Sequence, residues 1–372
     1  MKLFGRRSGR EGSRPALGRA ATASVLIGEW PRSYEAQVRD GYGANPVAQR
    51  AVRLVAEGVG WAPLDASDPV LAALVTARSS GQALMEVLAT SLLLHGNAYI
   101  QVIGDGAGGV GELFALRPER VKVEADASGW PAAYRYKVGE RAARLIADGA
   151  RPEVVHIKSA APLDDHYGTG ALGAASGAIA IHNAATRWNK ALLDNAARPS
   201  GALVYDPGDG AALSPDQFAR LRREMDEGFA GAANAGRPML LEGGLKWQAM
   251  SLTPADMDFV GLKAAAAREI ALAFGVPPML LGLPGDATYA NYREANKALW
   301  RLTILPLADT ILRAVAQGLS GWFEGAALGV AIDRVPALAE DRERLWRQVA
   351  AADFLAPAEK RALLGLAPEA AS

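Results

Sequence analysis

One stretch, residues 252–323, constrains the fold of this chain more than any other. It predicts a helix over 253–275, because Thr253 and Pro254 form a capping arrangement at its start and Gly275 stops it. At about 1.5 Å per residue, this helix would be roughly 30 Å long. A loop rich in glycine and proline follows, and then a second long helix.

Four consecutive alanines lie within the first of these helices: Ala264, Ala265, Ala266 and Ala267. Such small side chains add no bulk to any face, so neighbouring helices can approach closely on several sides. The run therefore predicts a helix that packs tightly against more than one neighbour.

The second helix is predicted to begin near Tyr289 and to run to about Phe323. Pro306 lies inside it and predicts a kink, because proline lacks the N–H that the helical hydrogen-bond ladder needs. Between the two helices, Gly285 and Asp286 form part of the connecting loop.

The rest of the chain has the periodicities of both helices and strands. Helices are predicted from Asn45–Pro46 to Gly60, from Ser80 to His95, over 172–197, from a Ser214/Gln217 capping box through Phe229, and over 336–367. Strands are predicted over 97–103, 113–116, 120–124, 133–138, 144–147, 154–158, 201–205, 238–241, 246–250 and 328–332, with a hairpin turn at 242–244. The residues alone therefore indicate an α+β fold.

The run at 274–282, with the run at 289–300 after a short loop, resembles the portal proteins of tailed bacteriophages. More narrowly, it resembles the portals of gene transfer agents, the phage-like particles of some α-proteobacteria. The phrases at 95–99 and 116–123 resemble the central strands of the family's α/β wing. The resemblance extends over nearly the whole chain.

This resemblance implies a portal-type fold in which a small α/β clip is inserted between two stem helices. The implied order is a disordered basic arm (1–24), the first part of the wing (25–170), a stem helix (171–198), the clip (199–252), a second stem helix (253–275), then the tunnel loop, a long kinked helix and the second part of the wing (276–332), and a short helical crown (333–372).

The function implied by the resemblance is a ring of about twelve copies at one capsid vertex, closed by a heterologous interface. Double-stranded DNA would pass through its channel during packaging and ejection. The implied partners are other copies of the chain, the terminase large subunit, then a head–tail adaptor protein, and the major capsid protein. The chain would lie in a phage virion or a gene transfer agent particle after assembly in the host cytoplasm.

Three sets of residues are candidate sites under this interpretation. Gly285, Asp286, Ala287 and Thr288 would line the narrowest part of the tunnel. Arg220, Arg223, Glu224 and Glu227 are candidates for motor and adaptor docking, by helical spacing on the clip. The alanine run 264–267 would pack the stem helices.

Composition agrees with a conduit rather than a tight DNA binder. Lys and Arg total 40, and Asp and Glu also total 40, so DNA can pass without being gripped. The absence of cysteine excludes disulfides, thiolate metal sites and cysteine nucleophiles. No apolar run of about 18 residues lacks charges, which argues against a membrane-associated pore.

The alternative function is a nucleotide-binding enzyme that uses Gly168, Gly170 and Gly173, which match G-x-G-x-x-G. A dinucleotide fingerprint requires a strand directly before its first glycine, whereas the nearest predicted strand ends near Lys158. Close packing at a helix start is the favoured explanation. The alternative for the Asp164–His166 run is a metal site, but a polar loop is the favoured interpretation because no second ligand cluster has matching spacing. Without a phosphate-binding loop or a catalytic motif, we expect no enzyme activity, no cofactor and no metal.

Overall fold

The computed structural model describes Leu17 and residues 33–194, 201–205, 213–229, 245–249, 258–283 and 289–365. Helices and strands are mixed, as the α+β interpretation predicted. The chain divides into two compact units, one of Met1–Ser176 with Ala271–Ser372 and the other of Gly177–Ile270. The predicted tunnel loop, Gly285–Thr288, and the basic arm apart from Leu17 lie outside the described residues.

The first unit begins with α1 (Tyr34–Gln37), a π-helical turn (Val38–Gly43) and α2 (Pro46–Gly60). The Asn45 Oδ1 atom accepts hydrogen bonds from the N–H groups of Val47 at 3.1 Å and Ala48 at 2.9 Å. These bonds satisfy two of the unpaired amides at the start of α2, so the predicted Asn45–Pro46 cap is confirmed.

The predicted helix start at Ser80 is wrong. After β1 (Leu64–Ala66) and α3 (Pro69–Thr76), the chain forms a hairpin of β2 (Arg78–Ser79) and β3 (Gln82–Ala83), and α4 (Leu84–His95) follows. Ser80 and Gly81 have φ angles of +53° and +84°. Positive φ at both central residues matches the twist of a two-residue hairpin, so Ser80 serves the turn and not the helix.

Two antiparallel three-stranded sheets form the centre of the first unit. One has the order β5 (Val110–Leu116), β4 (Asn97–Gly104), β9 (Val154–Lys158), and the other has β6 (Val121–Ala125), β7 (Pro131–Val138), β8 (Arg141–Ile146). Their shared core contains Tyr99, Leu116, Val121, Tyr134, Leu145 and Val154. All the strands predicted over 97–158 are therefore present, with shifted ends.

The long helix of the first unit is interrupted next to Pro306. It consists of α8 (Tyr289–Leu299), a π-helical turn (Trp300–Ile304) and α9 (Leu305–Leu319). Pro306 donates no backbone hydrogen bond, so a break in the helical ladder at this point is expected. The kink at Pro306 stays a prediction, and the helix ends at Leu319, four residues before Phe323.

The same helix accounts for part of the core. Ile311, Leu312 and Val315 are fully buried on α9. In the part of the chain that the structure describes, Ala290–Leu319 is the one helix long and apolar enough to cross a membrane, by length and composition alone. It carries Asp309 and Arg313, so it is not the charge-free run considered above.

After α9, β12 (Leu328–Val330) pairs antiparallel with β1, with Leu64 opposite Val330. The helical region predicted over 336–367 is two helices, α10 (Ala339–Ala350) and α11 (Pro357–Leu363). Pro357 begins the second of them, and the residue before a proline is disfavoured in helical geometry, which explains the interruption.

The second unit contains most of α5 (Ala171–Asp194), then β10 (Gly201–Tyr205), α6 (Pro215–Phe229), β11 (Leu245–Ala249) and most of α7 (Phe259–Ala273). Strands β10 and β11 pair antiparallel, with Gly201 opposite Ala249. The capping box is confirmed, since Ser214 Oγ accepts from Gln217 N and Gln217 Oε1 accepts from Ser214 N. The strand predicted over 238–241 and its hairpin turn lie outside the described residues.

The helix predicted over 253–275 is not continuous, because Asp258 lies outside helical geometry. Thr253 and Pro254 lie outside the described residues, and Asp258 has a φ of +38°, which is not helical. The Asp258 Oδ1 atom accepts a hydrogen bond from Gly261 N at 3.1 Å. The carboxylate therefore caps α7, which has 15 residues and is about 22 Å long.

Candidate functional site

The four alanines of the α7 run differ in how far they are buried. Ala266 and Ala267 are buried in the structure, with 4% and 2% exposure. Ala264 is half-buried and Ala265 is exposed. The run therefore packs on one side of the helix and leaves a small exposed residue on the other.

Aromatic stacking joins α5 and α7 within the second unit. The rings of Trp188 and Phe259 are 5.7 Å apart, with an angle of 26° between their planes. One to two turns farther along these two helices, His182 of α5 lies near Lys263 of α7. Burial lowers the pKa of His182, and the charge of Lys263 also lowers it. From the first contact to the second, the residue number falls on α5, from 188 to 182, and rises on α7, from 259 to 263. The two helices are therefore antiparallel neighbours. The sequence interpretation missed this stacking, although Trp188 is an unusually large residue in an alanine-rich helix.

The predicted docking residues lie on α6. Arg220 and Arg223 are exposed, as helical spacing predicted. Glu224 and Glu227 belong to the same helix, but their side chains lie outside the described part of the structure. Phe218, two residues before Arg220, is also exposed and adds an apolar group to this arginine-bearing helix.

Two of the three glycines of the motif, Gly168 and Gly170, pack against backbone. A Cβ atom on Gly168 would lie 2.1 Å from Gly96 O, and one on Gly170 would lie 2.5 Å from Leu94 O. Gly168 N also donates to the buried Asn97 side chain. Both glycines therefore allow close contact between the start of α5 and the turn after α4, as the packing explanation predicted.

Asn97 is the centre of a buried polar network between the sheets. Its Oδ1 atom lies 3.0 Å from His156 Nε2, and His156 Nδ1 lies 3.1 Å from the Tyr134 hydroxyl. Tyr99 stacks on the His156 ring at 4.3 Å. Burial, together with the nearby charge of Lys158, lowers the pKa of His156 to about 3. His156 is therefore neutral at physiological pH.

The Asp164–His166 run is a hydrogen-bonded loop. Asp164 Oδ1 accepts from His166 N at 2.7 Å and from Tyr167 N at 3.0 Å. His166 Nε2 lies 2.6 Å from Gly129 O. Asp164 therefore orders its own loop, and His166 joins that loop to the turn between β6 and β7. The described residues contain no group of three or more His, Asp or Glu side chains arranged to hold a metal ion.

Large apolar side chains are exposed in both units. In the first unit they include Trp61, at 83% exposure, together with Leu163, Leu302 and Phe354. In the second unit Val260 is 82% exposed, and Phe218 is exposed on α6.

The sequence matches the phage portal protein family over residues 46–365. It is 40% identical over 346 residues to an uncharacterised protein of Rickettsia bellii, and the match covers 88% of each chain. A chain from the virion of a native gene transfer agent particle is 49% identical, with a TM-score of 0.71, over 91% of this chain and 94% of that chain.

A chain from the neck of a native gene transfer agent particle, computed with C12 symmetry, is 48% identical. Its TM-score is 0.71, and the match covers 94% of this chain and 98% of that chain. The matched family region contains both sheets of the first unit, the helices α5 and α7, and the long interrupted helix. The chain therefore belongs to the phage portal protein family.

Proposed function

We propose that this chain forms a closed ring of twelve copies at one vertex of a capsid and serves as the channel for DNA packaging and ejection. The observation that carries the proposal is its 48% identity, over 94% of its length, to a chain from the neck of a native gene transfer agent particle, computed with C12 symmetry. In such a particle the chain is a component of the virion or phage-like particle and not of the host cell.

The exposed apolar side chains support assembly. Trp61 in the first unit and Val260 in the second are each more than four-fifths exposed in a single chain. Burying such groups against a neighbour is favourable, at about 25 cal/mol per Å² of apolar surface. A heterologous contact repeated around an axis buries each patch once per copy and closes into a ring.

The portal regions are assigned by this proposal to the two units. The wing, with the tunnel loop, consists of residues 25–170 and 276–332, and the stem consists of 171–198 and 253–275. The clip consists of residues 199–252 and the crown of 333–372. The paired strands β10 and β11 and the helix α6 support an α/β clip. Arg220, Arg223, Glu224 and Glu227 would receive the terminase motor and later the head–tail adaptor.

The proposal gives the chain no chemistry of its own. Gly168 and Gly170 contact backbone atoms where a nucleotide phosphate would need space, which disfavours the nucleotide-binding alternative. ATP hydrolysis would belong to the terminase. Double-stranded DNA would pass through the assembled ring, and the major capsid protein would contact the ring from outside.

The test is the mass of the purified chain, measured by mass photometry together with negative-stain images. Twelve copies of 39.0 kDa give about 470 kDa, so we expect a peak of that mass and rings with a central hole. The same measurement should be repeated after co-expression with the major capsid protein. A chain that remains at 39.0 kDa under both conditions would contradict the proposal.

A further inference from the structure

A row of cations lies on the helix that follows the predicted tunnel loop. Arg293 and Lys297 belong to α8, and Arg301 belongs to the π-helical turn that continues it. The three residues are spaced four apart, so they lie along one side of the helix, roughly 6 Å apart along its axis. Without other charges, this spacing would suit the phosphates of a nucleic acid.

Helix α10 sets acidic side chains against the whole row. Arg293 Nη1 donates to Glu340 Oε1 at 2.8 Å, and Arg301 Nη2 donates to Asp341 Oδ2 at 2.6 Å. Lys297 Nζ, between them, is 3.3 Å from Asp341 Oδ1 and 3.6 Å from Glu340 Oε2. Each cation of the row therefore has a carboxylate partner on α10.

The network stays at the surface although its centre is buried. Lys297 is only 8% exposed. Burial disfavours ionisation of Asp341, but the hydrogen bond from Lys297 and the nearby arginine charges outweigh it and hold its pKa below its ordinary value. The side chains of Arg293, Arg301 and Arg344 are 42%, 53% and 65% exposed. A passing polyanion can therefore reach the three guanidinium groups without α10 moving.

Stability alone explains this arrangement poorly. The central Lys297–Asp341 pair, with side chains 11% and 13% exposed, can stabilise the fold, but the arginine pairs have exposed partners that water and salt screen, and they contribute little. Yet Asp341 faces three cations, since Arg344 of its own helix also pairs with it at 2.5 Å. The arrangement does balance charge closely, since Glu294 adds a third acid against the four cations.

We propose that Glu340 and Asp341 neutralise a surface that would otherwise grip duplex DNA. The inference rests on the proposed channel function, and it concerns how the channel avoids binding its cargo. Fixed cations in contact with phosphates hold DNA in place, and that hold grows with each phosphate neutralised. Pairing the Arg293–Lys297–Arg301 row with α10 lets DNA pass it without being held.

The experiment uses assembled rings of the full chain and a short fluorescent DNA duplex, with binding measured by anisotropy over a range of salt concentrations. The test variant is Glu340→Gln with Asp341→Asn. The matched control is Asp309→Asn with Glu124→Gln, which removes the same charge from acids that pair with Arg313, and with Arg135 and Arg144, away from the row. We expect the test variant to bind DNA about ten-fold more tightly than the control at 0.1 M salt, with a slope of log affinity against log salt steeper by about 1 to 2.

A rescue variant separates charge from structure. Arg344 loses its carboxylate partner in the test variant. Adding Arg344→Gln to that variant removes this unpaired cation and should return the affinity for DNA part of the way to the parent value. If the double variant does not form rings, Asp341→Asn alone should give a smaller gain of the same kind. The inference would be overturned if the test and control variants bound DNA with equal affinity in intact rings, or if Arg344→Gln had no effect. Either result would leave the proposed function standing. A parent chain that forms no rings would instead count against the proposed function.

Discussion

Asn97 and Gly168, 71 residues apart in the chain, are joined by two hydrogen bonds. Gly168 N donates to Asn97 Oδ1 at 2.8 Å, and Asn97 Nδ2 donates to Gly168 O at 3.1 Å. The pair holds the segment before α5 against the start of β4. Because Asn97 is 1% exposed, water cannot replace either bond.

The glycine motif provides its own matched test of this contact. Gly168→Ala places a Cβ atom 2.1 Å from Gly96 O and 2.6 Å from Ser159 N, both of them backbone atoms that cannot move aside easily. We expect a loss of at least about 2 kcal/mol in the free energy of unfolding. Urea denaturation followed by circular dichroism measures it.

Gly173→Ala is the control within the same motif. Nothing lies within 4 Å of a Cβ atom at this position, and the residue is inside α5. Alanine favours a helix over glycine by up to about 1 kcal/mol, so this variant should be neutral or more stable. Equal losses for the two alanines would show that the packing explanation is wrong.

The buried His156 predicts a pH dependence of stability. Its pKa is about 3 in the folded chain and 6.5 as the ordinary value, because burial disfavours the charged ring. Between these values the unfolded chain binds a proton that the folded chain does not. Stability from this group is therefore complete above pH 6.5 and falls as the pH drops towards 3, by about 1.4 kcal/mol per unit.

Unfolding of the parent chain and of His156→Gln should be compared at pH 7.5 and pH 5.0. This window avoids the carboxylates whose pKa values are lowered, Asp105, Glu124 and Asp341. We expect His156 to account for about 2 kcal/mol of the loss at pH 5.0. His95, whose pKa burial also lowers, should leave a smaller residual slope in the variant. An unchanged slope would contradict the prediction.

Substitutions at two neighbouring alanines of α7 are expected to affect folding and assembly separately. Ala266 is 4% exposed, so Ala266→Leu should overpack the unit and cost about 1 to 3 kcal/mol of stability. Ala265 is exposed in the single chain, so Ala265→Leu should leave its unfolding unchanged. If the exposed side of α7 packs against another copy in the ring, Ala265→Leu should reduce the fraction of chain in rings. Mass photometry and urea denaturation together distinguish the two effects.

The proposed clip surface is tested by charge reversal on α6. Arg220→Glu with Arg223→Glu changes two exposed residues, so folding and ring mass should stay as in the parent. Binding of the purified terminase large subunit should weaken about ten-fold or more, because like charges at an interface repel. Arg313→Glu, an exposed arginine of the first unit, is the control. If both variants bind terminase equally well, α6 is not the docking surface.

Much of the fold was accessible from local patterns. The cap at Asn45 and the box at Ser214 and Gln217 were predicted correctly, since each depends on residues within one turn. The errors at Ser80 and Asp258 have the same origin. Ser80, expected to start a helix, lies in a hairpin turn, and Asp258, expected inside a helix, caps one, and local pattern does not distinguish these outcomes.

The sequence by itself determined the family, the order of helices and strands, and the glycines at which the chain packs closely. Only the tertiary structure decided which alanines of α7 are buried, that Asn97 holds Gly168, and that α10 neutralises the cations on α8. The physical reason is distance along the chain. Caps, prolines and hydrophobic periodicity act over a few residues, whereas Arg301 meets Asp341 across 40 residues, through packing that no local pattern encodes.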